Sequence, residues 1–433
     1  MKYSIFNTCL SINDRHTLFY NAFSGKFVVV KNSLVDLHTQ SINTLRSDNP
    51  NLYERLKDAG LIIEDSINEP ELLREFIMKA DNNYDEFILH INPTLDCNFN
   101  CWYCYENHVP KSKMGLAVLD ATKAYINSIL SNPQIKSLEI GFFGGEPLLY
   151  FNSVAKILVS HAAKRCINLD KRFHVHFTSN GALLTDNIVN FLSQYPCGFQ
   201  ITLDGGRSFH DKTRYYKNRK GSYDSIVKNI HRLVNVNIDV IVRVNYTKEN
   251  IDSINSILES FRDINVNRRK FLKFDFQRVW QDRKKNSDQT EQKIALIRKT
   301  FRNEGYLVLA NYIPHDVRNS CYGDKINHAL INYNGDVFGC TARDFTKENR
   351  IGRLQASGNI IFNNDIVAKR NNSKLSKAIC QTCRIAPLCG GGCKQKALES
   401  PASEECTMGY TEEDMNNIVL DIFEHSFCIN KSV

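Results

Sequence analysis

The stretch Leu95-Asp96-Cys97-Asn98-Phe99-Asn100-Cys101-Trp102-Tyr103-Cys104-Tyr105 spaces three cysteines as C-x3-C-x2-C, shortly after an apolar run at 87–91. Three thiolates on one short loop can each take one iron of a [4Fe-4S] cluster and leave the fourth iron open. An open metal position is where a substrate or cofactor binds. Zinc is the competing reading: a tetrahedral site needs a fourth ligand, and His108 lies four residues past Cys104.

Working outward, the loop opens an alternating pattern. Short apolar segments at 87–91, 138–143, 173–178, 199–203, 240–244 and 271–276 predict strands, and helical periodicity fills 116–130, 154–165, 187–192 and 223–236. Six strand–helix repeats predict an α/β fold with a parallel sheet, either a partial barrel or a doubly wound sheet. Both place chemistry in loops at the C-terminal ends of strands, where the three cysteines fall.

The flanks differ from this centre. Residues 1–80 read as a small module: a hairpin of 18–20 and 27–30 around Ser24-Gly25-Lys26, helices up to the stop signal Gly60, a strand at 61–63, and a linking helix opened by Pro70. After about residue 306 the rhythm stops, and 370–410 carries little core-forming sequence, which suits a segment held by metal ligation. Thr411-Glu412-Glu413-Asp414 has the spacing of a capping box and predicts a final helix.

The 433 residues include fourteen cysteines. No apolar run approaches the roughly 20 residues of a membrane span, and the first residues lack a signal core, so a cytoplasmic protein with reduced thiols is expected. The 55 basic and 47 acidic residues leave a net charge of +8, a mild excess that favours an acidic partner but is no nucleic-acid footprint. Cys9, Cys166, Cys197 and Cys428 stand alone and carry no expected ligand role.

The cysteine loop resembles that of the radical S-adenosylmethionine (SAM) enzymes, whose loop has an aromatic before the third cysteine, here Tyr103. Gly144-Gly145-Glu146-Pro147 is similar to their "GGEP" segment, Thr178-Ser179-Asn180-Gly181 to "TNG", and Leu203-Asp204-Gly205 to "LDG", with His210, Asp211 and Arg214 beyond it. Arg243 and Asn245 also fit. The resemblance implies a partial (β/α)6 barrel. It also implies that Tyr103, Gly144, Gly145, Glu146, Pro147, Ser179, Asn180 and Arg243 hold S-adenosylmethionine. In the family the reduced cluster cleaves that cofactor to a 5′-deoxyadenosyl radical, which removes a hydrogen atom from an unactivated C–H bond.

Cys321-x13-Gly335-x4-Cys340 followed by Cys380-x2-Cys383-x5-Cys389-x3-Cys393 and Cys406 resembles the seven-cysteine SPASM domain. Three [4Fe-4S] clusters are then implied. Cys380, Cys383, Cys389 and Cys406 would hold the outer auxiliary cluster; Cys321, Cys340 and Cys393 would hold the inner one, with His315 standing where relatives often have a fourth cysteine. The expected division is a winged-helix-like recognition module at 1–80, the barrel at 81–305, and the SPASM domain with its final helix at 306–433.

Within this subgroup the N-terminal module resembles the leader-binding units of enzymes that mature ribosomally made peptides. The implied reaction is hydrogen abstraction from one residue of a precursor peptide, giving a carbon–carbon, ether or thioether crosslink. The implied partners are a leader-bearing precursor and a flavodoxin- or ferredoxin-type electron donor, with neither membrane nor nucleic acid. Two alternatives stand beside it. A sulfatase-maturating enzyme usually has aspartate after the second SPASM cysteine, whereas Thr341 follows Cys340 here and Asp344 comes three later. A zinc-stabilised nucleic-acid-binding protein is the other. Glu106, Asp204 and Asp344 are the carboxylates in loops suited to a catalytic base.

Overall fold

The apolar runs Leu18-Phe19-Tyr20 and Phe27-Val28-Val29-Val30 lie on neighbouring strands of a three-stranded antiparallel sheet formed by residues 7–31. The computed structural model describes residues 1–34, 41–282, 289–309, 321–399 and 404–429, so His315 lies outside the described residues. The short β1 (Lys2–Tyr3) precedes β2 (Asn7–Asn13), β3 (His16–Asn21) and β4 (Lys26–Lys31), which pair in the order β2-β3-β4 around the turn at Gly25. Helices α1 (Ile42–Asp48) and α2 (Pro50–Asp58) follow, each begun by a side-chain cap from Ser41 or Asn49. Strand β5 (Ile62–Ile63) pairs with β1, and α3 (Glu69–Asp81) starts with Pro70 in its first turn.

These elements form one compact unit, Met1–Asn83, together with Ala310–Ile326 and Asn364–Val433. Its core joins Phe6, Leu18 and Tyr20 to Ile77 of α3 and to Leu388 and Val419 of the cysteine-rich part. The N-terminal module therefore shares its interior with that part. The helix Glu412–Ile429 begins with a reciprocal capping box: Asp414 N–H donates to Thr411 Oγ1 at 3.1 Å, and Thr411 N–H donates to Asp414 Oδ2 at 2.8 Å.

The second unit comprises Tyr84–Leu309 and Asn327–Asn363. The six strands expected from the apolar segments are β6 (Glu86–Ile91), β7 (Ser137–Phe142), β8 (Arg172–Ser179), β9 (Cys197–Thr202), β10 (Asp239–Tyr246) and β11 (Leu272–Arg278), all parallel and in sequential order. Between them lie α4 (Leu116–Ser131), α5 (Lys156–Asn168), α6 (Asp186–Leu192), α7 (Arg207–Thr213) and α8 (Tyr223–Asn235). The sheet is longer than the segments announced: β12 (Leu307–Val308) joins β11, while β13 (His328–Ile331), β14 (Asp336–Phe338), β15 (Arg350–Leu354) and β16 (Ile360–Phe362) extend it past β6. Residues 327–363 are thus hydrogen-bonded into the barrel sheet, so packing does not separate them from it at residue 305.

Successive side chains on a strand point to opposite faces. One face of β6–β9 buries Leu89, Ile140, Val175 and Phe199 with the helices in a single core. The other face is polar: His90, Glu139, His174, His176 and Gln200 sit in neighbouring registers. His90 Nδ1 lies 3.2 Å from His328 Nε2, and a Cβ on Gly141 would come within 2.7 Å of the His90 ring, so that strand position has room only for glycine.

Burial pushes the His90 imidazole down to about 4, with Glu139 opposing the shift and His176 adding to it. Above pH 6.5 His90 is neutral folded or unfolded and contributes nothing; below it the unfolded chain takes a proton the fold refuses. Acidification from pH 6.5 towards 4 therefore costs up to about 3 kcal/mol through this residue. Thermal melting of cluster-free protein across that range is expected to fall less steeply for His90→Gln than for the parent.

Candidate active site

The three cysteines occupy the loop after β6, and its shape depends on a close approach from the end of β7. Gly145 N–H donates to Thr94 O at 3.2 Å, and Glu146 N–H donates to Asp96 O at 2.8 Å. A Cβ on Gly144 would stand 2.3 Å from Thr94 O, and one on Gly145 2.2 Å from Asp96 O, so side chains are excluded at both positions. Gly144 also holds φ +95°, a conformation open to glycine.

Glu146 is fully buried, and its carboxylate is spent inside the protein. It accepts from Leu148 N–H at 3.0 Å, Ser179 Oγ at 2.8 Å and Asn180 N–H at 2.8 Å. It is thus the tie between the ends of β7 and β8. Asn180 in turn donates to Asn98 Oδ1 at 2.8 Å, inside the cysteine loop. Pro147, also buried, opens the short turn that follows.

Tyr103 points its hydroxyl into a second buried network. It bonds to Asp204 Oδ2, receives Arg214 Nη1 at 2.7 Å and receives Asn245 Nδ2 at 3.3 Å. Asp204 N–H donates to His210 Nδ1 at 3.2 Å, so the His210 proton sits on Nε2 and faces Ser222 Oγ at 3.0 Å. Burial raises Asp204 while Arg214 opposes it. Arg243 Nε donates to Asn245 Oδ1 at 3.1 Å, and its guanidinium lies 3.8 Å from Asp275.

The donor set fits a [4Fe-4S] cluster with S-adenosylmethionine. Asn92 Oδ1, Asn98 Nδ2, Asp204 Oδ1 and Arg214 Nε are buried polar atoms without a hydrogen-bond partner, all in the segments around the cysteine loop. Burial pushes the Cys97 thiol up to about 12 and Cys104 up to about 11. Arg214 opposes both shifts, and a metal ion beside the buried Cys97 or the exposed Cys104 would favour the thiolate further. Cys104 Sγ lies 3.5 Å from His108 Nε2. Among the described residues no three His, Cys, Asp or Glu side chains converge on one ion; a cubane differs in that each thiolate binds its own iron.

In the other unit, Cys380, Cys383, Cys389 and Cys406 line one cavity of about 420 Å³. Burial pushes Cys389 up to about 12, and the neighbouring Cys406, Cys383 and Cys380 push it the same way. Those four thiols are therefore brought together. Of the other three, Cys321 and Cys393 belong to this unit and Cys340 to the barrel unit. Cys166 and Cys197 are buried and Cys9 is exposed; the Cys428 side chain lies outside the described residues.

Glu106 carries a buried, unpartnered Oε1; burial pushes its carboxyl up to about 8, and Asp344 adds to the shift. Asn92 and Asn98 were not legible as site residues, since each reads as ordinary loop or strand-end polarity. Their positions beside Gly144 and Asn180 set them apart.

Residues 91–261 match the family model described as "Radical SAM superfamily". The chain is 28% identical over 212 residues to the uncharacterized protein sll1766 of Synechocystis sp., covering 46% of this chain and 51% of that protein. It is 24% identical over 245 residues to the radical SAM cyclopropyl synthase TigE of Paramaledivibacter caminithermalis, covering 53% and 50%. A cysteine-type anaerobic sulfatase-maturating enzyme of Clostridium novyi is 26% identical over 168 residues, covering 37% and 44%. The chain thus spans about half the length of the first curated relatives it matches. Among solved structures, anSMEcpe with bound AdoMet superposes with a TM-score of 0.59 at 17% identity, covering 80% of this chain and 98% of that one. SuiB of Streptococcus suis bound to S-adenosylmethionine gives 0.53 at 15%, covering 92% and 97%, and was also solved with its precursor peptide SuiA. These two show the fold, an α/β barrel sheet with flanking parts.

Replacing Glu146 by Gln removes one of the acceptors that Ser179 and Asn180 need. The expected loss is about 1–3 kcal/mol of stability, read as a lower melting temperature, with reduced iron uptake by the cysteine loop.

Proposed function

The chain carries a radical SAM domain, and we propose that it matures a ribosomally made precursor peptide by removing hydrogen from one residue and installing a carbon–carbon, ether or thioether crosslink. The observation that most supports this reading is the β2-β3-β4 sheet outside the barrel. Its order leaves one edge of β2 and one of β4 without a strand partner among the described residues. Such edges accept an extended peptide through main-chain hydrogen bonds, as leader recognition requires. The likeness to SuiB also runs over 92% of the chain, beyond the barrel into both flanks.

In this reading Cys97, Cys101 and Cys104 hold the first cluster. The backbone of 144–147, with Tyr103, Ser179, Asn180 and Arg243, holds S-adenosylmethionine. Bound together, these groups supply one-electron chemistry able to take a hydrogen atom from an unactivated C–H bond. The protein's part is to orient the cofactor and the peptide and to keep water out. Cys380, Cys383, Cys389 and Cys406 would hold an outer auxiliary cluster, and Cys321, Cys340 and Cys393, with His315, would be the ligands of an inner one; such clusters would supply one-electron acceptor chemistry. The base that takes the second hydrogen, as a proton, is among Glu106, Asp204 and Asp344. Asp204 is already engaged with Tyr103 and Arg214, which leaves the Glu106–Asp344 pair the freer. Reduced thiols in this number suit a cytoplasmic setting; no helix among the described residues is long and apolar enough to cross a membrane.

A second reading, formylglycine formation on a sulfatase, follows from the Clostridium novyi relative. It is weakened by Thr341, where that reaction would place an aspartate.

Anaerobic reconstitution is expected to give a brown protein with about twelve irons, falling by about four in Cys97→Ala and again in Cys380→Ala. With reductant and S-adenosylmethionine, a leader-bearing precursor peptide that binds the protein is expected to lose the mass of two hydrogens per crosslink. A colourless zinc protein would sink the proposal; formylglycine on a sulfatase peptide would establish the second reading instead.

A further inference from the structure

The segment between α7 and α8 is basic, exposed and fastened to the cysteine loop. Residues 215–221 form a tight hairpin closed by a bridge between Tyr215 and Gly221, with Tyr216 N–H donating to Lys220 O at 3.0 Å. It lies directly on the first cysteine loop. Tyr216 bridges to Phe99, their rings meet edge to face at 5.1 Å, and Lys217 N–H donates to Asn98 O at 3.2 Å. Phe99 N–H in turn donates to Cys97 Sγ at 3.4 Å. A short run of hydrogen bonds and ring contacts therefore joins the hairpin surface to a thiolate of the cluster loop.

The hairpin's charge is one-sided. Lys217, Arg219 and Lys220 are exposed on it, Lys212 is exposed at the end of α7, and Lys111 is exposed across the cysteine loop. The nearby acids are engaged: Asp211 turns inward to accept from Ser222 and Tyr223 N–H at 2.8 and 2.9 Å, and Asp96 takes Lys217 Nζ at 3.0 Å. A chain with only a mild overall excess of positive charge thus concentrates it beside the loop that must receive an electron.

Resting on the radical SAM reading above, we propose that the 212–220 segment is the docking surface for a small acidic flavin-carrying electron-transfer protein of the flavodoxin class. Opposite charge speeds encounter and fixes orientation more than it adds affinity. The transfer balances as one electron: the donor's anionic flavin hydroquinone becomes the neutral semiquinone, and an oxidised [4Fe-4S]2+ cluster becomes [4Fe-4S]1+, with no proton moved.

The test uses reconstituted full-length protein and a chemically reduced acidic flavodoxin. Lys212→Glu, Arg219→Glu and Lys220→Glu are combined; all three side chains are exposed, Arg219 donating to the Tyr215 hydroxyl at 2.8 Å within the hairpin, and Lys217 is left to its partner Asp96. Freeze-quenched samples report the reduced first cluster by its paramagnetic signal, distinguished from others by its shift when S-adenosylmethionine is added. The expected result is a fall of about tenfold or more in reduction rate by flavodoxin at low salt, closing as salt rises. Iron content and reduction by photoreduced deazaflavin stay at the parent's level. A charge reversal on the far helix, Lys164→Glu, is expected to leave both rates unchanged. Equal flavodoxin rates in parent and triple variant would overturn the proposal, as would an equal slowing with both reductants, which would make the hairpin merely structural. Failure of the parent to take up iron would instead overturn the radical SAM reading itself.

Discussion

The backbone contact between the glycine pair after β7 and the loop after β6 is the constraint on which the site depends. Neither Gly144 nor Gly145 has space for a Cβ, because Thr94 O and Asp96 O stand little more than 2 Å from where it would be. With the two strand ends locked together, the loop that carries the three thiols is held against the backbone of Gly144, Gly145 and Glu146. Glu146 then carries the lock one strand further, since its buried carboxylate is bonded to Ser179 and Asn180. A buried carboxylate is costly unless fully hydrogen-bonded, so this residue anchors the ends of β7 and β8 to one another.

The two faces of the barrel sheet divide labour. Apolar side chains under the helices supply the hydrophobic stabilisation, whereas the opposite face gathers histidines, carboxylates and amides that such a core would exclude. The Tyr103–Asp204–Arg214 network closes the side beside the cysteines, and burial makes its partners interdependent. In the other unit, the N-terminal sheet and the cysteine-rich part share one core. Arg384, next to Cys383, adds a polar link by donating to Thr8 Oγ1 at 2.9 Å and Asn416 Oδ1 at 2.8 Å.

Much of the fold was legible because it is written in local periodicity. All six apolar segments became parallel strands in sequential order, and the capping box at Thr411 began a helix. The extension of the sheet through β13 to β16 was not legible: four residues at 328–331 carry no signal that distinguishes pairing with β6 from any other edge. The site shows the same split. Cysteine spacing and the glycine motifs stood out, while Asn92 and Asn98 became notable only through their places beside Gly144 and Asn180 and the one buried atom of each without a partner.

The sequence by itself determined the cysteine groups and their spacing, the strand–helix alternation and the family resemblance, since each is a short-range pattern. Only the tertiary structure decided which distant groups meet: Asp204 with Tyr103, 101 residues apart, Lys217 with Asp96, and a basic hairpin on the cysteine loop. Partners at such separations are chosen by packing of whole elements, and nothing in either local stretch encodes the other.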